Sequence, residues 1–80
     1  MSVKDVVADR FRSLCFQRGI RYNELANISG VTLSTVYSLL DERRKDVSII
    51  TIKKLCNGLE ISLGEFFSTP EFEALEQEIF

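Results

Sequence analysis

Eighty residues, 45% of them hydrophobic and 28% charged, are enough for one domain around one modest core and exclude a disordered tail. The net charge is -2, but it is unevenly spread: nine Lys or Arg face four Asp or Glu between Arg10 and Lys54, and four glutamates with no basic residue follow Pro70. No apolar run exceeds three residues, which excludes a membrane span, and no apolar stretch follows Met1 as in a signal peptide, so a cytoplasmic chain is expected.

In chain order, Val3, Val7, Phe11 and Leu14 recur every three or four positions and predict a helix over Lys4 to Arg18, with Gly19 supplying the left-handed stop. A short second helix runs from Tyr22 to Ser29, with Leu25 and Ala26 inward and Gly30 at its end. Thr32 is a good N-cap for a third, in which Val36, Leu39 and Leu40 face inward and Leu33, Ser34, Tyr37 and Ser38 outward. Asp41 to Asp46 contains no apolar residue and reads as an exposed loop.

Ser48 caps a fourth helix with Ile49, Ile52, Leu55, Cys56 and Leu59 on one face, and Ser62 opens a very short fifth with Leu63, Phe66 and Phe67. Thr69-Pro70-Glu71 combines an N-cap, a proline at the first helical position and an early acid. The helix it starts sets Phe72, Leu75, Ile79 and Phe80 against a glutamate face. No strand, repeat or linker is visible, so the predicted class is all-α. Residues 1–68 form the main domain, and 69–80 form a C-terminal amphipathic helix that either dimerises or folds onto its own core.

Cys15 and Cys56 sit among apolar neighbours and read as buried thiols rather than a disulfide. The chain has no histidine, and no carboxylate pair or nucleophile–base set stands on a plausible cleft. Neither a metal, a cofactor, a small-molecule substrate nor an enzymatic activity is expected.

Asn23 to Leu40 is the most informative stretch. Two short helices are joined by a tight turn, with small Ala26 where they must approach and Gly30 where the chain must reverse. Val31, Val36 and Leu39 lock the second helix on the first, leaving the outer N-terminal face of the second bare enough to enter a major groove. These residues resemble the lambda-repressor-like (XRE) helix-turn-helix family: Glu24-Leu25-Ala26, Gly30-Val31-Thr32 and Val36 stand in that family's pattern. The likeness continues through Ser48 to Cys56, Gly58-Leu59, and Ile61 to Phe67, covering roughly Asp9 to Phe67 in one register. The chain departs from the pattern at Arg21, where a capping Ser or Thr is usual, and at Tyr22, where Gln is usual. Cys15 and Leu40 replace an Arg–Glu pair, Glu42 and Glu60 replace glycines, and Val47 replaces a proline.

The resemblance implies a compact five-helix DNA-binding domain and a sequence-specific regulator, a repressor of bacterial, phage or mobile-element origin that binds double-stranded DNA as a homodimer. Thr32, Leu33, Ser34, Tyr37 and Ser38 are the candidate base contacts, through hydroxyls and, at Leu33, a thymine methyl. Arg43, Arg44 and Lys45 follow the recognition helix and are placed on phosphates, with Arg10, Arg21 and Tyr22 on the opposite strand. Phe72, Leu75, Ile79 and Phe80 are the candidate dimer contacts. Two other readings fit the same residues: an antitoxin or controller protein whose DNA binding needs a protein partner, and an interaction module that has lost DNA binding, as the pI near 5.0 and Glu42 suggest.

Overall fold

A computed structural model describes residues 1–75. They form six helices and, among the described residues, no strand: α1 (Val3–Arg18), α2 (Tyr22–Ser29), α3 (Leu33–Leu40), α4 (Ile49–Gly58), α5 (Leu63–Phe67) and α6 (Pro70–Glu73). The all-α class read from the sequence is correct.

Local chemistry sets the helix boundaries. Ser2 opens α1 one residue earlier than the apolar spacing predicts, because it forms a capping box: its Oγ accepts from the Asp5 amide at 3.1 Å, and Asp5 Oδ2 accepts from the Ser2 amide at 3.0 Å. Ser62 and Glu65 repeat this box at α5. Thr32 and Ser48 cap α3 and α4 through single bonds from the Thr35 and Ile50 amides. Arg21 occupies the N-cap of α2 without a side-chain bond, since a guanidinium has no acceptor to offer. Gly19 and Gly30, at φ 64° and 69°, close α1 and α2 in the left-handed region. At the end of α4 the same conformation falls on Glu60, at φ 58°.

One core unites α1 to α5. Phe11 and Phe66 lie at its centre with ring centroids 4.5 Å apart, surrounded by Val7, Leu14, Leu25, Val36, Leu39, Ile52, Leu55 and Leu59. Full burial of each such ring contributes roughly 2–3 kcal/mol. Both cysteines are free and buried. Gly58 allows α2 and α4 to touch, because a Cβ built there would lie 2.2 Å from Ser29 Oγ.

Three expectations about faces need correction. Val3 is 43% exposed and Val6 is buried in its place, since the stripe of α1 turns by one residue at its first turn. Ile49 is 57% exposed, because the first turn of α4 projects beyond the core. Among the described residues the C-terminal helix ends at Glu73, with Ala74 as its C-cap, so the helix predicted from Thr69 is interrupted before Leu75. Phe72 packs on Phe66 and Phe67, at centroid distances of 5.8 and 4.9 Å, so α6 rests on the chain's own core. Leu75 is half-buried. Ile79 and Phe80 lie outside the described residues.

Candidate nucleic-acid interface

The interface is built on α2, the turn Gly30-Val31-Thr32, and α3. The Gly30 amide donates to Asn27 O and the Val31 amide to Ala26 O at 3.1 Å, which folds the chain back over α2. Val36 and Leu39 are then buried against Leu25 and Ala26, and this packing fixes the rotation of α3 about its axis. Ser34 and Tyr37 are the residues it turns fully outward, Tyr37 at 55% exposure.

The other predicted base contacts are more constrained. Leu33 is half-buried and packs against the core. Ser38 is half-buried. The Thr32 hydroxyl serves as the cap and lies within 3.0 Å of both Ser34 Oγ and Thr35 Oγ1, so its bonding capacity is largely used within the turn.

Tyr22 stands edge-on to Tyr37, centroids 6.4 Å apart and planes at 86°. The pair ties the start of α2 to the exposed face of α3. Arg21, Tyr22 and Asn23 line one open groove of about 540 Å³ together with Leu33 and Tyr37. Asn23 was not among the residues singled out in the sequence. Its place in the first turn of α2, beside Tyr22, was the available signal.

On the other flank of α3, Arg44 shares a shallow hollow with Thr35, Ser38, Ser48 and Thr51. Arg43, its side chain 90% exposed, forms a two-pronged ion pair with Asp41: Nε donates to Oδ1 at 3.1 Å and Nη2 to Oδ2 at 3.0 Å. The Arg43 amide adds a third bond to Oδ1 at 3.0 Å. The side-chain bonds from Arg43, followed by the amide bond, hold the Asp41 carboxyl down at about 2. Arg44 and Lys45 are exposed, and Lys45 comes near enough to α1 to add slightly to the lowering of Asp5, which the Ser2 capping bonds dominate.

Arg10 is not brought to this surface. Its Nε donates to Phe66 O at 3.1 Å and its Nη2 to Glu65 O at 3.2 Å, while the guanidinium lies 5.8 Å from the Phe66 ring centroid. It caps the end of α5, where carbonyls lack helical partners, and its expected place on a phosphate is withdrawn. Arg12 was not singled out, yet its Nη2 donates to Leu40 O at the end of α3, at 2.9 Å. Cys15 and Leu40, which replace the usual Arg–Glu pair, leave that tie to an arginine one turn earlier on α1.

Among the described residues, no group of three His, Cys, Asp or Glu side chains could hold a metal ion. No helix among them is long and apolar enough to cross a membrane.

A short helix packed across another by a glycine turn, with hydroxyls and an aromatic outward and cations at both flanks, defines a helix-turn-helix DNA-binding domain. The chain belongs to the Cro/C1-type helix-turn-helix DNA-binding family, whose profile matches residues 10–71. Its structure is similar to the crystal structure of prophage Lp1 protein 11, with a TM-score of 0.82 and 30% sequence identity over 94% of this chain and 100% of that one. No protein of curated function matches the sequence. The family is one of DNA-binding regulators, and DNA is the partner it implies.

Proposed function

We propose that the protein is a sequence-specific transcriptional repressor of phage or mobile-element origin, acting in the cytoplasm as a homodimer on paired half-sites. The observation that carries this reading is the outward face of α3. Ser34 and Tyr37 stand clear of the core there, with Arg44 on one flank and Arg21 with Tyr22 on the other. That disposition suits a helix entering the major groove while cations on either side meet the two backbone strands. The similarity to a prophage protein supports the origin. Of the predicted dimer contacts, Phe72 packs on its own core, and the half-buried Leu75 beyond α6 is the described one kept for the contact between copies. Arg43 and Arg44, with Lys45, supply the sequence-independent phosphate contacts.

Binding to random-sequence DNA at two salt concentrations tests the reading, with the double variant Arg43→Ala/Arg44→Ala alongside. The wild-type chain is expected to lose affinity steeply with salt. The variant should bind every sequence more weakly and show a salt slope shallower by about 1 to 2 units. An unchanged slope in the variant removes the loop from the interface. Salt-dependent binding only in the presence of another protein favours a controller-type regulator, and no binding at all favours an interaction module.

A further inference from the structure

Lys4 is the one buried charged side chain among the described residues, 4% exposed in the first turn of α1. Its Nζ donates to Asp41 O, 37 positions along the chain. Burying an ammonium costs free energy that a methionine at the same place would not, so its polar bond has to return something packing cannot. What it holds is the hinge between the recognition helix and the cationic loop. The carbonyl that takes Lys4 also accepts from the Arg44 amide at 3.1 Å, and the carboxylate of the same Asp41 takes the Arg43 amide and guanidinium. Arg12, steadied by Asp9 at 2.8 Å, holds the preceding carbonyl, Leu40 O, at 2.9 Å. Two cations of α1 thus seize two consecutive carbonyls at the open end of α3, where the helix leaves them without partners and the dipole is negative. A hollow of about 460 Å³ is lined by Lys4, Asp5, Arg12, Glu42 and Lys45, which brings α1 alongside the loop at Glu42 and Lys45.

We propose that Lys4 is a positioning residue for DNA binding: through Asp41 it anchors Arg43 and Arg44 in the place from which they reach phosphate. This rests on the DNA-binding role assigned above to that loop. A loop held in its bound arrangement beforehand loses less conformational freedom on binding, so the anchor acts on affinity without touching DNA. It acts equally on every sequence, because phosphate contacts carry no base information.

The test compares Lys4→Met and Lys4→Gln with the wild-type chain. Methionine fills the space of the lysine stem, and Asp41 O keeps the Arg44 amide as a donor, so no acceptor is stranded. Both variants are expected to bind random and selected DNA about tenfold more weakly at physiological salt, with a salt slope shallower by about 1 unit. Backbone order parameters at Arg43 and Arg44 should fall, while amide exchange at Leu55 and Phe66 stays as in the wild type. Unaltered affinity and slope in a folded variant overturn the positioning role and leave the DNA-binding reading standing. Loss of order throughout the core, or failure of both variants to fold, overturns it as well, since Lys4 would then serve the fold and not the loop. If the wild-type chain shows no salt-dependent DNA binding, the functional reading fails and takes the positioning role with it.

Discussion

Asp41 accepts three bonds from Arg43 although it sits at the protein surface. With the carboxyl held at about 2, against 3.8 for an unperturbed aspartate, the tie is complete at every pH above the ordinary value and loosens only as pH falls towards 2. Carbon-detected NMR titration of Asp41 should show that low midpoint, and Arg43→Ala should return it most of the way to 3.8. A wild-type midpoint near the ordinary value would mean the pair is open in solution, leaving Arg43 free before DNA arrives. On α3, Ser34 and Tyr37 face away from the buried Val36 and Leu39. Ser34→Ala and Tyr37→Ala should therefore change which DNA sequence is preferred in a selection experiment, Ser34→Ala with little effect on the melting temperature. Tyr37 also meets Tyr22 edge-on, so its truncation forfeits about 1 kcal/mol of ring contact. A large fall in melting temperature with unchanged preference would mean α3 is rotated from the pose described.

The helices are held less by their own propensity than by their ends. Glycine takes the left-handed positions after α1 and α2, but Glu60 takes the one after α4, with the Ile61 amide closing on Cys56 O at 3.0 Å. A side chain in that conformation costs about 1 kcal/mol, and a glycine costs none. Glu60→Gly should therefore raise stability by about 0.5–1 kcal/mol, which for a domain of this size moves the melting temperature by roughly 2–6 °C. A thermal melt that shows no gain would place Glu60 outside the left-handed region. Gly58, two residues earlier, is needed for a different reason. Its backbone is ordinary, but the approach of α2 leaves no room for a Cβ beside Ser29. The Ser29 hydroxyl, buried there without a hydrogen-bond partner among the described residues, is what that close approach costs.

Across the whole molecule, α6 closes the core from outside the helix-turn-helix, with Phe72 laid on Phe66 and Phe67. Phe72→Ala should lower stability by about 2 kcal/mol without altering the mass found by sedimentation, because its partners lie in the same chain. Leu75→Glu asks the complementary question about the proposed homodimer. It should yield monomers whose melt stays close to that of the wild-type protomer, since a charge placed in an apolar contact between copies penalises association more than folding. A Leu75→Glu protein that keeps its mass but melts much earlier would assign Leu75 to the core beside Phe72. One that keeps both would remove it from the dimer contact.

Much of the fold is legible in the sequence. The 3.6-residue apolar spacing, the glycines after α1 and α2, and the hydroxyl residues at Thr32, Ser48 and Ser62 act within one turn of chain, so the sequence alone places five helices and the helix-turn-helix register. The same local chemistry identifies Ser34 and Tyr37 as outward, since Val36 and Leu39 must face the core. Tertiary structure decided the rest, because those choices depend on residues far along the chain. Arg10 looks like a free cation until α5 brings the Glu65 and Phe66 carbonyls to it. Lys4 and Arg12 look like ordinary surface charges of α1 until the end of α3 arrives above them. Leu33 reads as exposed by its place on the helical wheel, yet it packs against the core built by other elements. Phe72 could have served a second copy equally well on pattern alone. Whether an apolar residue is covered, and by which surface, is set by the packing of elements distant in sequence, and local periodicity carries no record of that.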